Sequence, residues 1–262
     1  MIKLAAFDVD GTLRDRSFLP ESTKEALRLL REKGVALAIC TGRSEYELAP
    51  LREELGIDWA VTCNGAHVGY QGRTVVGNPF PAALVRGWLE HAERAGHELL
   101  LYGAEKMFLN RHDAPRFLRA REEIGFMEPA VVRPGDWDRL PHIYQAIVFC
   151  EEAEQAGYTS LSEEALYTHR WRTWAVDLNP AGMNKAVGLR RLLEHLGLKP
   201  DEAAAFGDGL NDMEMMQLVG HAVVMGNGCD ELKAVATFVT KPLRDDGVAH
   251  AVRHLETTGA IR

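Results

Sequence analysis

What most restricts the fold of this chain is a unit repeated from its start: a short apolar run stopped by a polar turn, an amphipathic stretch, then the next apolar run. Ile2 to Val9 is the first run and breaks off in an acidic cluster. Val35 to Cys40 is the second, six apolar residues in a row, followed by the turn Thr41-Gly42-Arg43. Trp59 to Cys63 is the third and ends at Asn64-Gly65. Runs of this length bounded by turn residues predict buried strands. Between the first two, Ser22 with Glu25 forms a capping-box pattern, Ala26, Leu27, Leu29 and Leu30 share one face, and Gly34 stops the helix. A second helix is expected over about Ser44 to Leu55, kinked or divided at Pro50. Strand alternating with helix predicts a parallel sheet with right-handed crossovers, an α/β Rossmann-like core.

The rhythm changes after Pro81. Residues 82–182 read as a compact α+β unit: helices over Ala82 to Ala95 and Ala114 to Ile124, extended segments around Glu98 to Asn110, Ile143 to Cys150, Ala165 to Arg170 and Thr173 to Leu178, and most of the tryptophan and tyrosine. The first pattern then resumes with an amphipathic helix from Lys185 to Leu196, a strand over Ala203 to Phe206 ending at Gly207-Asp208, a helix to Leu218, and a strand over His221 to Met225 closed by Gly226-Asn227-Gly228. The expected division is a core of residues 1–81 and 183–262 carrying 82–182 as an insertion.

A formal net charge of -8 with basic and acidic residues interleaved argues against a general nucleic-acid binder. No apolar run is long enough to span a membrane, and the first residues lack the pattern of a secretory leader, so the cytoplasm is the expected location. The four cysteines are scattered without a CxxC pair, which predicts buried free thiols rather than disulfides or a zinc site.

The chemistry concentrates at the ends of the predicted strands, where open α/β sheets bind ligands. Asp8 and Asp10 stand two residues apart and can lean to one side of an extended chain. Such a pair suits divided labour, one carboxylate ionised as nucleophile and the other carrying a proton as general acid. A phosphate dianion needs a cation before it can approach two carboxylates, and oxygen ligands favour magnesium. Gly11 permits a tight turn whose neighbouring N–H groups can face the phosphate. The Thr41 hydroxyl can hold a phosphate oxygen, although a turn threonine equally caps the next helix. Lys185 can set one positive charge against the phosphoryl group. Asp208 is a candidate metal ligand, with Asn211 and Asp212 orienting water or tying down Lys185. Arg43 steers phosphate or makes a surface ion pair, and Asn64 touches substrate or merely turns the chain. Trp171 and Trp174 serve as a substrate platform or as packing, and Tyr102, Lys106, Arg172 and Asn179 are softer candidates. None of the ten histidines has a ligand partner by spacing.

Together the runs Asp8-Val9-Asp10-Gly11-Thr12-Leu13, Cys40-Thr41-Gly42-Arg43, Lys185 and Gly207-Asp208-Gly209-Leu210-Asn211-Asp212 resemble the haloacid dehalogenase superfamily of phosphohydrolases, in its Cof-type branch with an inserted cap of the C2B type. Asn64-Gly65-Ala66, Gly226-Asn227-Gly228 and Asp246-Gly247-Val248-Ala249 are similar to branch features. The resemblance implies Asp8 as nucleophile, Asp10 as acid/base, and Thr41 and Lys185 as the other catalytic residues. It implies magnesium on Asp8, the Asp10 backbone carbonyl and Asp208, supported by Asn211 and Asp212. It places Gly11, Thr12, Gly42, Arg43, Asn64 and Asn211 around phosphate and substrate. The implied activity is hydrolysis of a small phosphomonoester, a sugar phosphate or a flavin-type or pyridoxal phosphate, through an aspartyl phosphate. A phosphomutase with the same intermediate, and a phosphometabolite-binding protein without turnover, stay open. So does the choice between monomer and homodimer.

Overall fold

The computed structural model describes residues 1–261; Arg262, the last residue of the expected core, lies outside them. The chain begins with β1 (Leu4–Phe7), α1 (Glu21–Glu32), β2 (Ala36–Cys40), α2 (Glu45–Leu55) and β3 (Trp59–Thr62), then β4 (His67–Tyr70) and β5 (Arg73–Gly77). It next forms α3 (Ala82–Ala95), β6 (Glu98–Gly103), β7 (Met107–Leu109), α4 (Pro115–Ile124), β8 (Ala130–Val131), β9 (Ile143–Phe149), α5 (Ala156–Thr159), β10 (Tyr167–Arg172) and β11 (Ala175–Asn179). It ends with α6 (Lys185–Leu196), β12 (Ala203–Gly207), α7 (Met213–Leu218), β13 (His221–Val224), α8 (Asp230–Lys233), β14 (Phe238–Val239) and α9 (Gly247–Thr257).

Two sheets result. The larger runs β14-β13-β12-β1-β2-β3-β4-β5, parallel from β14 through β3. Its central strands are apolar throughout because helices cover both faces. Along β1 the faces alternate: Ala5 and Phe7 pack with Leu27, Leu30 and Val252, and Leu4 and Ala6 with Leu189, Leu193 and Met215. The strand order reverses at β1, which lies between β2 and β12, so the crevice at its carboxyl end is where a ligand belongs. The smaller sheet, β10-β11-β9-β6-β7-β8, is antiparallel except for β7 with β8. One of its faces carries α3 through Trp88, Leu89 and Ala92; the other carries α4 through Phe117 and Ala120, and on that face Tyr102 and Tyr144 share a cluster with Cys63 and Ala66 of the larger body.

The core differs from a purely parallel sheet by the β4–β5 hairpin, which adds two antiparallel strands at one edge. Its turn is Gln71-Gly72 with φ of 49° and 80°, both left-handed, as a two-residue hairpin requires. The expected Ser22 capping box is not formed. Helix α1 starts two residues earlier, with Pro20 in the capping position and no side-chain cap, and the Ser22 hydroxyl donates to Asp246 instead. The capping box lies at Ser44, which exchanges hydrogen bonds with Glu47 at the head of α2. Pro50 does not divide α2; it lies on the exposed side, where solvent can satisfy the carbonyl it leaves unpaired.

His67 is fully buried, its ring nitrogens 2.9 Å from the Thr62 hydroxyl and 3.0 Å from that of Thr74. Burial lowers its pKa from 6.5 to about 4. The unfolded chain therefore takes up a proton below pH 6.5 that the native protein refuses until about pH 4. Stability from this group is complete above the unfolded value and is lost as pH falls through that window, by about 3 kcal/mol. Urea titrations at pH 7 and pH 4.5 are expected to show this loss, and His67→Gln, though weaker at pH 7, to show a flatter pH dependence.

Candidate active site

The loops after β1, β2, β3 and β12 and the head of α6 meet at the switch point. Asp8 directly follows β1 and is 7% exposed; Lys185 opens α6 and is 1% exposed. The Lys185 ammonium donates to Asp8 Oδ1 and to Asp212 Oδ1, each at 2.6 Å. Asp212 Oδ2 accepts the backbone N–H groups of Asp208 and Gly209, both at 3.1 Å. Both Asp212 oxygens are thus engaged, and the residue fixes the lysine and the Asp208 turn.

Backbone proximity puts Lys185 there. Cys63, Asn64 and Gly65 turn with φ of 51°, 50° and 93°. Backbone bonds from Asn64 to the Thr41 carbonyl and from Cys63 to the Arg43 carbonyl tie this turn to the β2 loop. The start of α6 lies against it so closely that a Cβ on Gly65 would fall 2.0 Å from the Asn184 carbonyl oxygen, and one on Gly188 would fall 2.4 Å from Val61 Cγ1 and 2.6 Å from Gly65 Cα. In an open helix Gly→Ala stabilises by about 1 kcal/mol. Here the sign is expected to reverse: Gly188→Ala lowers stability by about 1–3 kcal/mol, read from the urea midpoint, because the methyl group meets backbone that cannot move aside.

Asp8, Asp208 and Asp212 bring one carboxylate oxygen each within 4.8 Å of one another. Burial raises the Asp8 pKa; Lys185 opposes the shift, while Asp212 and Asp208 add to it. Burial likewise pushes Asp208 up to about 6 against the Thr12 hydrogen bond. Burial works against the Lys185 charge too, yet Asp212 and Asp8 hold its pKa above the ordinary range. One ammonium among these carboxylates leaves the cluster short of positive charge. With the Asp212 oxygens taken, Asp8 Oδ2 and Asp208 Oδ2, the latter meeting only a long 3.5 Å bond from the Asn227 amide, are the carboxylate oxygens left to offer a cation, and an all-oxygen donor set suits a hard divalent ion.

The remaining expected residues divide. Thr41, 2% exposed, Gly42, Arg43, Asn64 and Asn211 all border the cleft with Asp8 and Asp10. Thr12 and Gly11 are tied into the protein itself. The Thr12 hydroxyl donates to Asp208 Oδ1 at 2.9 Å, and the Gly11 N–H is spent on the Arg14 carbonyl. Gly11 is needed because Asp208 Oδ2 lies 2.2 Å from where its Cβ would be. The Asp10 carboxylate turns outward to Arg43, which grips it with two bonds of 2.7 and 2.9 Å. Asn227 has a part the sequence did not disclose: its amide holds the Gly11 carbonyl at 2.9 Å and the Leu243 N–H at 2.8 Å, fastening the β1 loop to the far side of the sheet. Its only signal was the glycine on either side.

The smaller sheet overhangs this loop cluster and closes a cleft of about 470 Å³, within the usual range for small-molecule sites. Tyr102, Trp171 and Arg172 border it, whereas Trp174 is buried packing at 9% exposure and Lys106 is not on its lining. Asn179 is wholly buried and meets Asn64 across the two sheets at 3.4 Å.

Comparison with known proteins gives a consistent match. The model of the haloacid dehalogenase-like hydrolase family fits residues 5–252. The chain is 35% identical over 255 residues to YkrA of Bacillus subtilis (strain 168), covering 97% of each. It is 32% identical over 266 residues to an HMP-PP phosphatase of Yersinia pseudotuberculosis serotype I (strain IP32953), covering 97% of this chain and 95% of that one. Among solved structures, BT1666 from Bacteroides thetaiotaomicron, a phosphatase of the haloalkanoate (HAD) enzyme superfamily, superposes with a TM-score of 0.82 at 30% identity over 98% of this chain and 96% of its own.

Proposed function

This chain belongs to the haloacid dehalogenase-like hydrolase family and is a phosphatase; from that premise we propose that it hydrolyses a small organic phosphomonoester through a phosphoryl group carried on Asp8. The observation that carries this reading is the Lys185 ammonium set between Asp8 and Asp212, beside Asp208, at the carboxyl edge of β1. A carboxylate held by a buried cation, with Thr41 and the Gly42 backbone alongside, is equipped to attack phosphorus.

In the first step an Asp8 oxygen bonds to phosphorus in line with the leaving oxygen, the phosphorus–oxygen bond to the alcohol breaks, and Asp10 gives that oxygen its proton. In the second, water attacks the phosphorus of the aspartyl phosphate, Asp10 takes the water proton, and inorganic phosphate and Asp8 carboxylate separate. Lys185 and Thr41 hold the equatorial oxygens, and alignment with charge placement accounts for most of the rate. Asp8, the Asp10 backbone carbonyl and Asp208 would hold magnesium, with Asn211 and Asp212 in support. That ion supplies the positive charge the carboxylates lack when a phosphate dianion arrives. Arg43 grips the Asp10 carboxylate in the conformation described, so Asp10 reaches a leaving group only once that grip loosens. Residues 82–182 act as the cap that excludes water and selects the alcohol, and 1–81 with 183–262 form the catalytic core.

The test is phosphate release from a panel of sugar phosphates, FMN and pyridoxal phosphate. Release is expected with magnesium, loss of release with EDTA, and recovery when magnesium is restored in excess. Phosphate retained in an isomerised product would identify a mutase instead. Tight binding without any metal-dependent turnover would sink the enzymatic reading.

A further inference from the structure

The cleft has two ends. The phosphate end is built from the motifs already described; the far end is the face of the smaller sheet, whose residues those motifs do not include. Strand periodicity sets what this face presents. Gln145 and Ile147 alternate along β9, and in register beside them stand Tyr102 on β6 and Asp177 on β11, the latter opposite His169 on β10. All line the cleft.

Two of these side chains have hydrogen-bonding capacity that the protein leaves unused. Gln145 is 2% exposed, and its Oε1 is buried without any partner among the described residues. A buried amide oxygen left this way is destabilising, and a bound donor relieves it. Asp177 has one oxygen held by the Trp171 indole N–H at 2.8 Å. Its second oxygen has no hydrogen bond among the described residues, and burial pushes the carboxyl up to about 7 against the Trp171 bond. Beside these acceptors the lining has flat or apolar walls in Phe126, Trp171, Ile124 and Ile147, with Tyr102, His169 and Arg172 also on it. A flat ring can lie against the aromatic and aliphatic walls while its donor meets the buried acceptors.

We propose that Gln145 and Asp177 are the specificity-determining residues of the cleft, and that they select phosphate esters whose leaving alcohol is a planar ring carrying an N–H or O–H donor. The proposal rests on the phosphatase reading only for which end takes the phosphate. Trp171 is a positioning residue here: its indole N–H fixes the Asp177 carboxylate so that the other oxygen faces the ligand.

The discriminating pair is meta-aminobenzyl phosphate and meta-methylbenzyl phosphate, matched in shape and differing in the donor, with a hexitol phosphate as the polyol. Wild-type protein is expected to favour the amino ester over the methyl ester by at least about tenfold in kcat/KM, since a site built to bond a donor rejects the analogue lacking it. Gln145→Leu and Asp177→Asn are each expected to bring that ratio close to one, the larger loss in kcat/KM falling on the amino ester. Equal kcat/KM for the two benzyl esters in wild type, or preference for the hexitol ester, overturns the proposal and leaves the phosphatase reading intact. The corresponding phosphonates, titrated calorimetrically, separate the two ideas. Selective binding of the amino phosphonate without turnover of any ester retains the acceptors and removes the phosphatase reading; equal affinities overturn the proposal whatever the turnover.

Discussion

Asp8→Asn is expected to lower magnesium-dependent phosphate release by at least about 10³-fold while leaving the fold as stable as before, or more so. The two halves of this result have separate causes. The amide nitrogen and oxygen of asparagine occupy the same space but cannot carry the phosphoryl group, so the covalent route closes. Stability moves the other way because the wild-type carboxylate is costly where it stands. Burial and the neighbouring Asp212 and Asp208 raise its pKa, and Lys185 only partly offsets them. A neutral side chain removes that repulsion, and Lys185 keeps its bond to Asp212. Active sites commonly trade stability in this way. Phosphate release and the urea midpoint, measured on the same preparation, check both parts. Release unchanged from wild type would remove Asp8 from the role of nucleophile.

Lys185→Met is expected to fail on both counts. The methionine fills most of the volume of the lysine stem but leaves Asp8 and Asp212 facing each other without the ammonium that now bridges them at 2.6 Å to each. Removing one partner from a buried ionic group costs about 3–5 kcal/mol. Loss of a charge aimed at the transferring phosphoryl oxygens costs about 10²–10³-fold in kcat. The cause can be isolated with the double variant Asp8→Asn/Lys185→Met, in which one of the facing carboxylates is gone. It should recover part of the stability lost in the single lysine variant, as coupled neighbours do. A lysine variant as stable as wild type would mean that the ion triad contributes nothing to the fold.

Much of this molecule was legible in its sequence for a definite reason. The central strands β1, β2 and β12 are covered on both faces, so their residues, such as Ala36 to Cys40 and Ala203 to Gly207, read as unbroken small or apolar runs. The reactive groups stand in the turns that stop those runs, and a turn directly after a strand is placed by the strand. Asp8, Thr41 and Asp208 were therefore found by position along the chain. The smaller sheet was harder, because its strands show aromatic and polar residues on the face that lines the cleft, and the isolated stretches Tyr167 to Arg172 and Ala175 to Asn179 give no sign of which residues that face will gather. The β4–β5 hairpin escaped because its Gln-Gly turn lacks the usual Asn-Gly signal and β5 is largely exposed.

What the sequence by itself determined, then, was the order of strands and helices in the parallel part of the core and the residue at each of those strand ends, since both follow from local periodicity and from turns. Only the tertiary structure decided who faces whom. The Lys185 bonds to Asp8 across 177 positions, the Thr12 bond to Asp208 across 196, and the Asn227 grip on Gly11 across 216 have no local pattern to announce them. The same holds for the outward turn of Asp10 to Arg43 and for the spare acceptors of Gln145 and Asp177. Hydrogen bonds and charge are settled by distance in space, and that distance exists only once the two sheets and their helices have packed.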